Sequence, residues 1–242
     1  ALEKILLPKV DSILAVSTGV GQDLIANHGV DSKKIRVIFN PFNVKSIKGY
    51  ALEPVNSFFE AGQRYVVAAG RLVPEKNYSL LLQAFSRVSR RVSVKLLILG
   101  EGILLESLKD QARHLGILEQ VYFLGFQDNP YKFISKCHVL VLSSHYEASP
   151  RVLVEAMVCG TPVISTRCPV GPSELIQDQV NGLLVAPGNE LELADAIEKV
   201  VTDATLSERL RKAGLARAEE FSCERILPQM EGYFLEVLNS ET

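Results

Sequence analysis

The stretch HVLVLSSHYEASPRVLVEAMVCGTPVIST, residues 138–166, decides the fold. It opens on a short apolar run that ends in two serines and passes through a polar loop. A segment with apolar residues at helical spacing follows, and a second β-branched run begins after Gly160. A strand, a crossover helix and another strand in so short a span are the unit of a parallel sheet. Both runs are apolar without alternation, the mark of strands buried on both faces. Two acids stand inside this unit: Glu147 in the loop, and Glu155 among Val152, Leu153, Ala156 and Met157 of the helix. An acid on a core-facing stripe needs a polar partner, because an unpaired buried carboxylate costs several kcal/mol.

Outward from this unit the same alternation continues. Candidate strands are YVVAAG (65–70), VKLLILG (94–100), VYFLG (121–125), HVLVLSS (138–144), PVIST (162–166) and GLLVAP (182–187). Helical segments lie between them and one, NELELADAIEKVVTD, follows the last strand. The pattern predicts an α/β fold, a Rossmann-like parallel sheet with flanking helices. Local chemistry agrees: Asn189 with Glu192 resembles a capping box, Leu193, Ile197, Val200 and Val201 share one helix face, and Gly116 and Gly160 sit at helix stops. Residues 1–45 carry one further βαβ piece, with strands at 12–17 and 35–40 and a helix over 18–28, too small for a core of its own. This piece reads as the end of a preceding domain. A linker over 46–63, the main domain over 64–221 and a C-terminal helix over 222–242 that returns to the preceding domain complete the expected division.

Composition excludes more than it selects. With 26 Lys plus Arg against 28 Asp plus Glu, the formal net charge of −2 gives no general attraction to nucleic acid. No apolar run approaches the roughly 20 residues that cross a bilayer, and no signal peptide opens the chain, so a cytoplasmic location is expected. Cys137, Cys159, Cys168 and Cys223 form no CxxC pair and read as buried free thiols. No D-x-D triplet occurs, and no metal site is expected.

Ser149 is expected as the N-cap of the helix, with Pro150 at its first position. The loop His145–Ala148 then lies at the carboxyl end of a parallel strand, where open α/β sheets bind ligands, beside helix-start amides that favour an anion. Arg71 and Lys76 follow the first strand and reach the same edge. Taken singly, each of these residues has a plainer reading: Glu147 as a loop acid, Glu155 as a solvated flank, Arg71 and Lys76 as surface cations, Gly100–Gly102 as a strand-to-helix turn, Phe126 as a cap on the core. His138 and His145 read as structural. The Gly100–Gly102 loop fails the last position of the dinucleotide fingerprint at Ile103–Leu105, which disfavours a nicotinamide-binding domain.

Taken together, GRLVPEKN (70–77), GEG (100–102), VYFLGF (121–126), EAMVCGTPVIST (155–166) and NGLLVAPGN (181–189), with Glu147 and Glu155 spaced E-x7-E, resemble the ordered landmarks of retaining GT-B glycosyltransferases of glycosyltransferase family 4. The resemblance covers about residues 65–200. It implies one half of a GT-B architecture. It also implies transfer of a hexosyl or N-acetylhexosaminyl group from a nucleotide sugar, UDP-linked, to a glycan or lipid-linked acceptor with retention of configuration, without metal or cofactor. By resemblance Arg71, Lys76 and Glu147 carry the chemistry. Gly70, Gly100, Gly102, Gly125, Phe126, Ala148, Ser149, Pro150, Arg151, Val152 and Glu155 bind the donor, with Glu155 on the ribose and the backbone at Gly125 and Phe126 on the base. GEGI departs from the commoner G-x-G-P of the family. The resemblance implies that the acceptor half of such an enzyme is missing here, so that this chain is inactive alone. The alternative is a stand-alone nucleotide-sugar-binding module or the donor subunit of a split enzyme. Peripheral contact with the inner face of a membrane would follow from a lipid-linked acceptor.

Overall fold

The computed structural model describes residues 6–55 and 58–240. The first residues of the apolar opening segment, two positions of the expected linker and the last two residues lie outside the described residues. Near the start, β1 (Ile13–Ala15) and β2 (Ile35–Val37) pair in parallel, joined through α1 (Thr18–His28). Ser17 caps α1 by accepting from the Val20 N–H at 3.2 Å, and Gly29 closes it in the left-handed region at φ 70°.

The main sheet has six parallel strands: β3 (Arg64–Ala69), β4 (Val94–Leu99), β5 (Val121–Gly125), β6 (Val139–Leu142), β7 (Val163–Thr166) and β8 (Leu183–Val185). Their order across the sheet is β5-β4-β3-β6-β7-β8. The chain works outward from β3 through β4 to β5, then returns to the other side of β3 and proceeds through β6, β7 and β8. The order therefore reverses between β3 and β6, and the crevice beyond their carboxyl ends is the topological switch point.

Two cores flank this sheet, and the strands divide their side chains between them with period two. Val66, Ala68, Leu96, Ile98, Val139 and Val141 enter one core, with Leu81 and Phe85 of α3 (Tyr78–Ser89) and Ile197 of a later helix. Tyr65, Val67, Leu97, Leu99, Leu140 and Leu142 enter the other, with Leu153 and Met157 of the helix that follows β6. Both faces of the central strands β3, β6 and β7 are thus dry, which is why their runs read as continuously apolar.

Residues 46–63, expected as a linker, begin inside a helix, α2 (Val44–Ala51), whose Val44 and Ile47 are buried in the second core and whose Ala51 is also buried. The remaining helices are α4 (Leu105–His114), α5 (Tyr131–Ile134), α6 (Arg151–Val158), α7 (Pro172–Leu175), α8 (Glu190–Thr202), α9 (Ala204–Glu219) and α10 (Cys223–Ser240). The chain enters and leaves the main domain side by side: the Phe42 N–H donates to the Phe221 carbonyl and the Cys223 N–H to the Phe42 carbonyl, each at 2.9 Å. Past that crossing α10 packs on the β1–β2 piece, where Ile226 and Tyr233 form a cluster with Ile38, and the hydroxyls of Tyr233 and Ser12 meet at 2.6 Å.

The start of α8 carries the chemistry read from the sequence. Asn189 Oδ1 accepts from the Glu192 N–H at 3.1 Å, and the Glu192 carboxylate reaches back to the Ala186 N–H at 2.9 Å. Asn189→Ala should cost about 1 kcal/mol, a drop of about 3 °C in Tm for a chain of this size. Thermal unfolding followed by circular dichroism measures it.

Candidate functional site

At the switch point the loop after β3 and the loop after β6 are locked together by hydrogen bonds. Ser143 Oγ lies 3.0 Å from the carbonyls of both Lys76 and Asn77, and the His145 N–H donates to the Glu75 carbonyl at 2.8 Å. The loop after β4 completes the wall: the Leu72 N–H donates to the Glu101 carbonyl at 2.8 Å and the Leu104 N–H to the Leu72 carbonyl at 3.1 Å. Together they enclose a cleft of about 610 Å³, the size of a small-ligand site. A second concavity of about 360 Å³ lies far from it, between β2 and α10. Its lining is charged as well, with Asp11, Lys33, Lys34, Arg36 and Glu236, but Arg36 and Glu236 satisfy each other at 2.7 Å and the main sheet's carboxyl edge contributes nothing to it.

Eleven of the fourteen predicted site residues line the larger cleft: Gly70, Arg71, Lys76, Gly100, Phe126, Glu147, Ser149, Pro150, Arg151, Val152 and Glu155. Lys76 Nζ lies 2.5 Å from Glu147 Oε1, and Ser144 Oγ donates to the same oxygen at 2.6 Å. Ser144 is in turn fixed by Thr166, whose hydroxyl donates to its carbonyl at 2.6 Å. Glu147 is only 8% exposed and could not sit there without these partners. Arg71 is exposed and makes no ion pair among the described residues, so its charge is open to a ligand. Beneath the cleft Tyr78 donates to the Gly70 carbonyl at 3.1 Å, and burial together with the Glu147 charge pushes its phenol well above the usual range.

The question raised by Glu155 has a local answer. Its carboxyl is pushed up by burial, and the effect is opposed by Arg151, 3.7 Å away one helical turn earlier, and by the polar Tyr131 phenol. Arg151 is itself drawn over the ring of Phe42, 4.4 Å from its centroid.

The helix start differs from the sequence expectation. Helix α6 begins at Arg151 with Pro150 in the N-cap position, extended at ψ 91°, and no side chain caps it. Ser149 instead accepts from Asn40 Nδ2 at 3.0 Å, a contact across 109 residues that local sequence cannot announce. Pro150 has no N–H, so the amides open at this end belong to the residues around it. Phe126 does not cap the core: it is 68% exposed at the rim of the cleft, and its N–H donates to the Glu101 carboxylate at 3.3 Å.

Gly102, Gly125 and Ala148 do not line the cleft; they shape it. A Cβ on Gly102 would lie 2.4 Å from the Leu72 carbonyl oxygen. Gly125, at φ 68°, accepts from the Gly100 N–H at 2.7 Å. Ala148 lies against the loop of α7, where a Cβ on Gly171 would sit 3.2 Å from its carbonyl oxygen. That loop also spans to the small βαβ piece, Glu174 accepting from the N–H groups of Thr18 and Gly19 at 2.7 and 2.9 Å. Sequence reasoning missed Glu101, Gln127 and Pro130 in the lining, and Ser144, Thr166 and Tyr131 behind it. Only Glu101, between two glycines of a loop at the same sheet edge, carried a local signal. Among the described residues no cluster of His, Cys, Asp and Glu could hold a metal ion, and no helix is long and apolar enough to cross a membrane.

Residues 52–217 match the family described as glycosyl transferases group 1. A Campylobacter jejuni relative, N-acetylgalactosamine-N,N'-diacetylbacillosaminyl-diphospho-undecaprenol 4-alpha-N-acetylgalactosaminyltransferase, is 32% identical over 97% of this chain and 62% of its own length. Lipopolysaccharide 1,6-galactosyltransferase of Escherichia coli is 32% identical over 79% of this chain and 52% of its own. Among solved structures, Anabaena HepE in complex with UDP-glucose superimposes with a TM-score of 0.88 at 24% identity, over 96% of this chain and 66% of that one. Sucrose-phosphate synthase from Thermosynechococcus elongatus does so with a TM-score of 0.85 at 25% identity, over 99% of this chain and 61% of that one. The chain thus spans between half and two thirds of the length of these relatives.

Proposed function

Because this chain belongs to the glycosyl transferases group 1 family, we propose that its switch-point cleft binds a nucleotide sugar, UDP-linked, as the donor of a retaining transfer to a glycan or lipid-linked acceptor. The observation that carries this reading is the convergence of Arg71 and Lys76 on two largely buried acids, Glu147 and Glu155, in one cleft of a ligand's dimensions. Names of relatives support the acceptor class, since two of them act on lipid-linked or lipopolysaccharide sugars. A relative of the same fold solved with UDP-glucose supports the donor.

In this reading Arg71 and Lys76 face the diphosphate, whose charge grows as its bond to the sugar breaks, and they do so where a metal ion would otherwise stand. Glu155 accepts from the ribose hydroxyls. The backbone at Gly125 and Phe126 takes the edge of the base, and Glu147 accepts from hydroxyls of the sugar. The amides of Ala148, Ser149, Arg151 and Val152 serve the distal phosphate, at a helix start that favours negative charge. The bond from the sugar's anomeric carbon to the diphosphate breaks, and a bond to the acceptor oxygen forms on the same face. The acceptor's proton passes to the departing phosphate oxygen. Holding the donor in this pose is a large part of the rate enhancement. A lipid-linked acceptor would bring the protein to a membrane surface.

Calorimetric titration of the chain with UDP, with and without Mg²⁺, tests the donor site. Wild type should bind equally in both conditions. Arg71→Ala should weaken binding about tenfold or more, the scale of a charge-assisted contact to phosphate, and Glu155→Gln about tenfold. Absence of UDP binding by a folded chain, or binding that appears only with Mg²⁺, would overturn the reading.

A further inference from the structure

Three acids line the switch-point cleft: Glu101, Glu147 and Glu155. Glu147 is paired with Lys76 and Glu155 lies beside Arg151, whereas Glu101 is exposed and makes no ion pair among the described residues. An unpaired acid in a cleft that takes a diphosphate repels its ligand, unless another part of that ligand presents it with a donor. The position of this acid is closely fixed. The Gly100 N–H donates to the Gly125 carbonyl at 2.7 Å, the Glu101 carbonyl accepts from the Leu72 N–H at 2.8 Å, and a Cβ on Gly102 would collide with the Leu72 backbone. From this pinned loop the side chain reaches across to the end of β5. There Oε1 accepts from the Phe126 N–H at 3.3 Å and would lie 3.5 Å from a Cβ on Gly125. That bond is longer than the roughly 2.7–3.2 Å of a well-made N–H···O contact, so a ligand can take it over at little cost.

Strand order separates the two ends of the cleft. The loops after the central pair β3 and β6 supply Arg71, Lys76 and Glu147, while the loops after β4 and β5, to one side, supply Glu101 and Phe126. A nucleotide laid across the strands with its diphosphate on the cations therefore brings its base to Glu101 and the exposed Phe126 ring. We propose that Glu101 is a specificity-determining residue: its carboxylate accepts from the N3–H of uracil while the Phe126 N–H donates to the neighbouring carbonyl oxygen of the ring. The proposal rests on the UDP reading of the cleft. On the pairing edge of uracil N3–H is the single donor, standing between two carbonyls, and a carboxylate can only accept. One long bond within the protein is exchanged for two to the ligand, one of them charge-assisted. Cytosine reverses this edge. Its N3 turns a lone pair toward the carboxylate, and its amino group turns hydrogens toward the Phe126 N–H. Both contacts are repulsive, so Glu101 rejects cytosine as well as holding uracil.

The test compares UDP with CDP by calorimetry on the whole chain, in wild type, Glu101→Gln and Glu101→Ala. The readout is the ratio of the two affinities, because removing a negative charge helps the diphosphate of both nucleotides alike. Wild type should prefer UDP by about a hundredfold, the scale of a lost charge-assisted bond joined by a repulsive contact. Glu101→Gln should reduce that preference about tenfold or more, since an amide can turn its oxygen to the N3–H of uracil or its N–H to the N3 of cytosine. Glu101→Ala should reduce it by a similar factor. Both substitutions should leave Tm unchanged, because the side chain is exposed and the bond to the Leu72 N–H comes from the backbone. A wild-type preference for UDP that survives in both variants would overturn the role of Glu101 and leave the donor reading intact. Equal binding of UDP and CDP by wild type would show that the base is not read at this edge, while a nucleotide site remains. A folded wild-type chain that binds neither nucleotide would remove the donor reading, and this proposal with it.

Discussion

Lys76→Ala is expected to lower the stability of the ligand-free protein by about 2–3 kcal/mol, because removing one partner of a largely buried ion pair strands the other. Glu147 is 8% exposed and would keep only Ser144 as a partner. The figure is set below the 3–5 kcal/mol of a fully buried pair because the Lys76 side chain is itself 23% exposed and water can reach the vacated space. Adding Glu147→Gln should recover much of the loss, since the neutral amide tolerates the missing cation. Urea unfolding of the four chains of this cycle, without nucleotide, measures the coupling directly. Under the donor reading the same single substitution should lower the rate of transfer by about 10²–10³, the cost of removing one fixed positive group from a site of developing charge. An unfolding midpoint for Lys76→Ala equal to that of wild type would mean that the pair is dispensable and that Glu147 is held by its hydroxyl partner alone.

Gly100→Ala should be more damaging still. Its φ of 132° lies in a region that other residues occupy only under strain, and a Cβ there would stand 2.1 Å from the Gly70 carbonyl oxygen. Because the obstacle is backbone, relief requires the β3 and β4 loops to separate. That breaks the bonds from the Leu72 N–H to the Glu101 carbonyl and from the Leu104 N–H to the Leu72 carbonyl. A loss of about 3 kcal/mol or more is expected, with UDP binding lost alongside because Arg71 rides on the displaced loop. Gly116→Ala is the control: its φ is 72°, yet nothing lies within 4 Å of a Cβ there, so it should cost only about 1 kcal/mol of backbone strain. Similar losses at the two positions would show that crowding between the loops contributes nothing.

The fold was legible because its signal is local and repeated. Each strand from β3 to β8 is announced by a short apolar run, and the helices after them by 3.6-residue spacing and caps such as Asn189 and Gly160. The edge at which Arg71, Lys76 and Glu147 meet was also readable, since consecutive loops of a parallel sheet emerge on one side whatever their side chains. Less legible was the segment 46–63. Its helix α2 is short and carries Lys45, Lys48 and Gly49 beside Val44 and Ile47, too mixed a pattern to identify before the core that buries it is known. The Ser149 expectation followed sound local rules for caps and failed because Asn40, remote in sequence, takes the hydroxyl.

What the sequence determined by itself is the set of elements and the chemistry each one carries: periodicity and capping act over a few residues, so they can be read without coordinates. Tertiary structure decided how the acids are used. Glu147 became the partner of Lys76, 71 residues away, and of Ser144, while Glu155 was buried beside Arg151. The energy of a buried carboxylate depends on which donors and cations the fold brings within hydrogen-bonding reach, and distance along the chain carries almost no information about that.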